Sequence, residues 1–200
     1  RQIDDAARGF SYRQDGPLDM RMGPDASQTA EQVVNQYSER DLTRVFREYG
    51  EERASTRIAR SIVRGREEEP IRSTQQLVDL VTAQVPERFA TKSLARIFQG
   101  IRIEVNGELD HLEPTLNGIV DRLVTGGRLA VLTYHSLEDR VVKRVVRGTP
   151  QSSLPRDFPV ADPNAGKMKE LVRRGITASE DEVAVNPRAR SAKLRIGVKV

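Results

Sequence analysis

The sequence predicts an α/β fold in which a bundle of short helices precedes a buried strand with helices on both sides. Residues 27–86 show helical periodicity with several capping signals, and the near-continuous apolar run Arg128–Tyr134 lies between a Gly-Gly pair and a polar turn. An order of helix, Gly-Gly, apolar strand, polar turn and helix is typical of α/β crossovers. An apolar run of strand length indicates a strand buried on both faces of a parallel sheet.

The first half of the chain is expected to be a loop followed by four helices. Residues 1–25 are rich in Gly and Pro and show no regular period, so we expect a loop there. The helices that follow have matched apolar faces and should form a small bundle. Their predicted boundaries are start signals at Thr29, Ser38 and Ser73 and stop signals at Gly50, Gly65 and Pro86.

The second half is expected to alternate helices and strands. Longer helices at about 93–105 and 109–123 lead to the apolar strand, and a further helix follows it. A Pro-containing loop is expected at 148–163. A strand is possible at 168–173, and the alternation in 192–200 predicts an antiparallel or edge strand.

Composition narrows the class of protein. With 200 residues, 37% hydrophobic and 31% charged, the chain is expected to be one soluble domain carrying at most a small insert. No apolar run approaches the roughly 20 residues of a membrane helix, and the start does not resemble a signal peptide, so a cytoplasmic protein is expected. The absence of cysteine excludes disulfides, and two histidines are too few for a His-rich metal site.

The basic residues are mostly arginine. The net charge is only +4, but 27 of the 33 cations are arginines. The planar guanidinium suits phosphate and stacks on bases, which favours a nucleic-acid partner. A GC-rich genome, whose codons favour arginine, is the alternative explanation.

Four blocks of sequence stand out in order along the chain. Together they resemble the MraW/RsmH family of bacterial, S-adenosylmethionine-dependent methyltransferases of small-subunit ribosomal RNA. Any one block could occur by chance, but four in order are specific. The blocks are Arg8–Tyr12 with Asp15–Met22, Phe98–Asn106 with Glu108 and Leu109, Gly126–Leu129 with His135–Arg140, and Asn186–Ala192 with Leu194 and Arg195.

The resemblance implies a doubly wound class I methyltransferase sheet, lacking its first strands in this chain, with an all-helical insert domain. Residues 1–26 and 91–200 would belong to the methyltransferase domain, and 27–90 to the insert that recognises RNA. The implied reaction is methylation of the exocyclic N4 amine of a cytidine in the decoding region of small-subunit (16S) rRNA. S-adenosyl-L-methionine would be the donor and the small ribosomal subunit the partner. No membrane or metal partner is expected, and the oligomeric state is not indicated.

Two family features are not found in this sequence. These are the Gly-rich loop after the first strand and the acidic residue that ends the second, which hold the methionine and ribose ends of the cofactor. Residues 1–4 resemble the end of the family's fourth-strand motif, so Gln2 is the one cofactor-contacting position carried over. A catalytically silent rRNA- or ribosome-binding fragment is therefore the alternative. A DNA amine methyltransferase is disfavoured, because the chain has no Asp/Asn/Ser-Pro-Pro-aromatic run.

The catalytic candidates are His135 and Asp19. Methyl transfer needs close alignment and dry surroundings, and the delocalised amine of cytosine needs hydrogen-bond acceptors that orient it. His135 directly follows the predicted strand, where ligands bind in open α/β sheets, and no routine structural role is expected for it. Asp19 is a possible amine acceptor, with an Asx-type brace of its own loop as the alternative.

A cytosine that is taken out of its stack needs an aromatic or arginine plane beside it. Phe10 and Tyr12 are stacking candidates in a Gly-containing loop. Tyr134 is another, with core packing as its alternative. The polar substrate candidates that follow, for which helix capping and helix-dipole roles are the alternatives, are Ser136, Glu138 and Asp139.

Rows of cations on helix faces are candidates for RNA phosphate contacts that position the protein without reading sequence. A solvated helix face is the alternative for each. His111 has no such partners and is expected to be a surface residue. One row is Arg53, Arg57, Arg60 and Arg64, another is Arg140, Lys143, Arg144 and Arg147, and a terminal cluster is Arg188, Arg190, Lys193 and Arg195.

Overall fold

The computed structural model describes residues 5–147 and 166–200, which form two compact units. The first unit ends at Glu108 and the second begins at Leu109. Gln2 and the Pro-containing loop predicted at 148–163 lie outside the described residues. Among the described helices, none is both long and apolar enough to cross a membrane.

The first unit is helical, and three of its predicted start signals are confirmed. Thr29 and Ser73 each form a complete capping box with the glutamine three residues later, and the Ser38 side chain accepts from the backbone of Asp41. After a 3-10 turn at Ala6–Arg8, the helices are α1 (Ala30–Gln36), α2 (Glu39–Glu48), α3 (Ser55–Glu68), α4 (Thr74–Thr82) and α5 (Glu87–Asn106).

Two predicted boundaries in this unit are wrong. Gly65 does not stop the third helix but lies inside α3, where a Cβ would come within 2.8 Å of a methyl group of Leu80. The glycine is thus explained by close helix packing rather than by a chain reversal. The fifth helix begins directly after Pro86, earlier than its apolar periodicity predicts, because a proline is tolerated at a helix start.

The opening segment packs into the same core as the helices. Leu18 and Met20 are fully buried with the apolar faces of α1 to α5. Gly9 adopts a left-handed φ of 70°, and a Cβ there would lie 2.0 Å from the carbonyl oxygen of Pro17, so only glycine fits. The contacts therefore group this segment with the helical bundle. The predicted assignment of 1–26 to a different domain from 27–90 stays a prediction.

The second unit is a mixed layer of helices and a small sheet, which confirms the α/β class. Its buried core lies between the sheet and the helices α6 and α7. The elements are α6 (Leu112–Arg122), β1 (Arg128–Thr133), α7 (Ser136–Arg147), β2 (Met168–Glu170), β3 (Ile176–Thr177), α8 (Glu180–Val185), a 3-10 turn (Pro187–Ser191) and β4 (Lys193–Lys199).

All strand pairs of this sheet are antiparallel, and β4 is central. The order is β1-β4-β2, with β3 also paired to β4. The last strand, predicted to be antiparallel or at an edge, is antiparallel, and it is central because β4 has neighbours on both sides. The parallel neighbours expected for β1 are not seen among the described residues, where β1 pairs only with β4.

The two faces of the sheet differ. Leu129 and Val131 of β1 pack against the valines of α7. Gly197 of β4 is so close to this helix that a Cβ would lie 3.1 Å from that of Val146. On the other face Leu132 is 50% exposed, opposite a half-buried Leu194. The expected burial of β1 on both faces is therefore wrong within the described part of the chain.

Candidate functional site

The turn from β1 into α7 is held by a reciprocal pair of hydrogen bonds between His135 and Glu138. The backbone N–H of Glu138 donates to Nδ1 of His135 at 3.4 Å, and the backbone N–H of His135 donates to the Glu138 carboxylate at 3.3 Å. This is the geometry of a capping box, with histidine in the place of the usual serine or threonine. His135 occupies the cap position and Ser136 is the first residue of α7, and a capping contribution from Ser136 stays a prediction.

His135 therefore has a structural role that the sequence did not indicate. Its side chain is 9% exposed, and its Nε2 lies 3.3 Å from Oε1 of Glu138 without a well-aligned hydrogen bond. Since Nδ1 accepts from a backbone N–H, the neutral imidazole carries its proton on Nε2, facing the carboxylate. A direct contact between His135 and a base stays a prediction, and this geometry favours a positioning role.

Glu138 is held as an ion. Burial opposes its ionisation, but the adjacent His135 imidazole and the backbone N–H of Tyr134 outweigh that effect and lower the pKa of the Glu138 carboxyl. The Tyr134 N–H donates to Oε2 at 2.8 Å. Oε2 thus carries both backbone bonds, and Oε1 keeps accepting capacity next to the imidazole.

Tyr134 lies at the same turn with its side chain open to solvent. It is 55% exposed, so the core-packing alternative does not hold, and the ring is free to stack on a flat ligand. Stacking itself stays a prediction. Tyr134, His135 and Glu138 are thus brought together at one strand end, as the sequence predicts.

Asp139 belongs to a cluster of ion pairs on the face of the sheet that packs against α7. Its two carboxylate oxygens accept from the guanidinium of Arg195, and Lys193 donates to it at 3.2 Å. The hydrogen bonds from Arg195 are the largest cause of the lowered pKa of Asp139. A structural role as an ion-pair partner, different from the helix-dipole alternative, is therefore favoured for Asp139, and its substrate role stays a prediction.

Arg195 is the centre of that cluster. It is 2% exposed in β4 and also donates to Glu170 at 2.6 Å, and Glu170 in turn accepts from Arg147 at 2.6 Å. The phosphate contact expected for Arg195 is wrong, because its guanidinium is buried between two carboxylates. The alternation of the last strand was the available signal, since it places Arg195 on the same face as Val131.

Asp19, in the first unit, is paired with Arg21. The guanidinium donates to both carboxylate oxygens at 2.8 Å, and these hydrogen bonds lower the pKa of Asp19 despite its partial burial. The Arg21 backbone N–H also donates to Asp19 at 3.0 Å, which is the Asx-type brace given as the alternative. An amine-acceptor role for Asp19 stays a prediction.

The other two aromatic candidates pack within the first unit. Phe10 is 8% exposed, and the Arg8 guanidinium lies 5.6 Å from its ring centroid. Tyr12 packs edge-on against Phe98, with ring centroids 5.7 Å apart. Both contacts favour packing over base stacking, which stays a prediction for these two rings.

The two arginine rows differ in their partners. On α7, Arg144 pairs with Glu113 and Arg147 with Glu170, each at 2.6 Å. On the first row only Arg60 is paired, with Glu39 at 3.3 Å. The remaining members of that row are exposed and form no ion pair within residues 5–147 and 166–200; they are Arg53, Arg57 and Arg64. We call Arg53, Arg57, Arg60 and Arg64 the α3 stripe, although Arg53 lies in the turn just before the helix.

These features define a mixed α/β protein with a carboxylate–imidazole pair at a strand end and an arginine-rich helical unit. The whole chain, residues 1–200, matches the model of the MraW methylase family, and the chain belongs to that family. Members of this family use S-adenosylmethionine as the methyl donor.

Several bacterial proteins named ribosomal RNA small subunit methyltransferase H are similar to this chain. The protein from Kineococcus radiotolerans is 52% identical over 97% of the chain, that from Chromohalobacter salexigens 48% over 100%, and that from Heliobacterium mobile 45% over 100%. The matches cover 51%, 61% and 65% of those proteins respectively, so the chain spans between half and two thirds of their length.

Proposed function

We propose that this chain is the substrate-binding part of an enzyme that methylates the exocyclic N4 amine of a cytidine in the decoding region of small-subunit rRNA. The observation that carries the proposal is the match of residues 1–200 to the MraW methylase family. The names of the relatives support rRNA of the small subunit as the substrate. The choice of cytidine and of its amine rests on the resemblance carried by the four sequence blocks. An rRNA substrate would place the protein in the cytoplasm.

In this proposal the Glu138 carboxylate orients the amine. The lone pair of the cytosine amine is delocalised into the ring, and an acceptor that takes a hydrogen bond from the N–H groups turns that lone pair toward the methyl donor. Glu138 is ionised, its Oε2 is fixed by two backbone N–H groups, and Oε1 has accepting capacity left. A hydrogen bond to a charged acceptor contributes about 1.5–3 kcal/mol.

His135 and Tyr134 then have supporting roles. His135 fixes the carboxylate by capping α7 and by facing Oε1 with its Nε2, and so acts as a positioning residue. Tyr134, with its exposed ring, stacks on the extruded base. Asp19 is the second acceptor candidate, but its engagement by Arg21 leaves it less capacity than Glu138.

The sheet favours a fold that continues beyond the described strands. One edge of β1 has no strand partner among the described residues, and one face of β1 and β4 leaves Leu132 half exposed. An unpaired edge beside an apolar face is what an added layer of strands and helices covers. We therefore keep the doubly wound sheet, with residues 27–90 as a helical insert, as part of the proposal.

The described residues do not by themselves fit S-adenosylmethionine. A Gly-rich turn directly after a strand holds such cofactors in doubly wound folds. β1 is followed by Tyr134 and His135, and in residues 5–147 and 166–200 no strand leads into a Gly-rich turn. The residues that hold the cofactor would then lie in sequence that the relatives carry beyond the matched part.

Nucleoside analysis tests the proposal. A longer polypeptide, carrying the additional sequence of the relatives, is incubated with S-adenosylmethionine and unmodified small ribosomal subunits, and the rRNA is digested and analysed by mass spectrometry. We expect N4-methylcytidine in the decoding region and none in a reaction without S-adenosylmethionine. Methylation of another base or atom would contradict the proposal. Binding to the subunit without methyl transfer would favour the catalytically silent fragment instead.

A further inference from the structure

A second set of arginines lies on the exposed side of α2, next to the α3 stripe. Arg40, Arg44 and Arg47 are spaced by four and three residues, which places them on one helix face. The opposite face of α2 is fully buried through Leu42, Val45 and Phe46. This row is less evident in the sequence than the row on α3, because three acidic residues are interspersed with it in α2.

The two helices form one continuous surface. A shallow cavity of about 610 Å³ opens along α2 and reaches Thr56 of α3. Arg47 donates to the Thr56 hydroxyl at 3.4 Å, and Arg60 pairs with Glu39 at 3.3 Å, so each end of α2 contacts α3. The α2 arginines and the α3 stripe therefore face solvent on the same helix pair.

Pairing within the unit leaves this surface positive. Glu39 is bound by Arg60, and Asp41 accepts from the Ser38 hydroxyl at 2.6 Å. Arg44 is bound by Glu104 at 2.8 Å. Within the described ranges, Arg40 and Arg47 are exposed and have no carboxylate partner, like three members of the α3 stripe. Asp41 and Glu48 are the acids of the cavity lining without a cation partner in the described part of the chain, fewer than these five arginines, of which Arg40 and Arg47 line the cavity.

We infer that Arg40 and Arg47 bind phosphates of RNA and, with the α3 stripe, form a two-helix surface for the RNA backbone. This inference rests on the proposed function for its choice of nucleic acid. RNA is favoured over an acidic protein because protein interfaces have an apolar or aromatic centre. None of the large apolar side chains exposed in the described part of the chain lies on α2 or α3. Arginine forks bind phosphate oxygens well without an apolar contact.

The test measures how salt weakens binding of the full chain to a fluorescein-labelled 24-nucleotide RNA hairpin. Arg40→Gln/Arg47→Gln is compared with the wild type and with Arg72→Gln/Arg88→Gln, two exposed arginines of the same unit outside α2 and α3. Both double variants lose the same charge. If each lost arginine removes one phosphate contact, the slope of log affinity against log salt falls by about two. The affinity gained between 200 and 50 mM salt then shrinks roughly tenfold.

We expect the smaller salt slope in the α2 variant and a slope close to that of the wild type in the control variant. All three proteins should have the same melting temperature. Equal slopes in both variants would overturn the inference. So would a wild-type chain that binds polyglutamate and not the hairpin, because that result assigns the surface to an acidic protein. This test is independent of the test of the proposed reaction. If the α2 variant has the smaller salt slope but the longer protein forms no N4-methylcytidine, the RNA-binding surface is supported and the cytidine methylation is rejected.

Discussion

Replacing His135 separates a capping role from a chemical role. His135→Ala removes the Nδ1 acceptor of the Glu138 backbone N–H and leaves the first turn of α7 without its cap. Loss of an N-cap costs about 0.5–2 kcal/mol, and the 3.4 Å distance here points to roughly 1 kcal/mol. Hydrogen exchange of the amides in the first turn of α7 should therefore accelerate about fivefold, measured by NMR on the full chain.

His135→Asn is the matched variant, because asparagine is among the best capping residues. We expect it to restore slow exchange and, in the longer polypeptide, to recover most of the methylation rate that His135→Ala loses. Exchange in His135→Ala at the wild-type rate would refute the cap. A stable His135→Asn variant whose methylation stays as low as that of alanine would refute the positioning role and favour direct contact of the imidazole with the base.

The remaining predictions concern the buried ion cluster and the cofactor. Arg195→Met should destabilise the chain by about 3 kcal/mol in urea unfolding, the low end of the range for a broken buried pair, because Asp139 keeps only Lys193 as a partner and Glu170 only Arg147. The exposed Arg174→Met should stay within about 0.5 kcal/mol of the wild type; equal stabilities would contradict this. Pairing with Arg195 lowers the folded-state pKa of Asp139 below 3.8, so its stabilisation is present above that pH and is lost as the pH falls through the lowered pKa. Acid unfolding should accordingly show a loss of stability below about pH 4 that Asp139→Asn lacks, and identical pH profiles would reject the pairing. Finally, a polypeptide of these residues alone should bind S-adenosylmethionine feebly or not at all in calorimetry, and micromolar affinity would mean that the cofactor site lies within them.

The parts of the fold that sequence predicts well are those set by local interactions. Capping boxes at Thr29 and Ser73 depend on residues three apart, and both form as expected. The apolar run of β1 and the alternating run of β4 also form strands as expected, because each pattern is set by residues close together in the sequence. The helix stop predicted at Gly65 is wrong because the sequence does not reveal that Leu80 approaches this glycine from another helix.

The neighbours of a strand are a tertiary property, and there the prediction was less accurate. The apolar run of β1 predicted burial on both faces between parallel strands, yet its described partner is the antiparallel β4. Pattern alone does not distinguish a strand buried on both faces from a strand that leaves one apolar face open. The central position of β4 likewise depends on β2 and β3, which are too short to give a strong periodic signal.

The candidate site shows the same division. Proximity of Tyr134, His135 and Glu138 follows from their positions at one strand end and was predictable. The capping role of His135 was not, because histidine is an uncommon cap. Arg195 shows the other kind of error, since its charge pointed to the surface while its strand face pointed inward.

The most direct measurement for the account is the single-turnover methylation rate of Glu138→Gln in the longer polypeptide, with small ribosomal subunits as substrate. Glutamine also completes a capping box, so the variant keeps the bonds from the backbone of Tyr134 and His135. Its amide N–H groups then face the Nε2 of His135, and a melting curve measures the cost of that contact separately from the rate. The substitution replaces the free carboxylate oxygen with an amide group. Loss of one charged hydrogen bond of about 1.5–3 kcal/mol predicts a rate roughly 10- to 100-fold lower at saturating S-adenosylmethionine. A Glu138→Gln enzyme that methylates cytidine at the wild-type rate would contradict the claim that this carboxylate orients the amine.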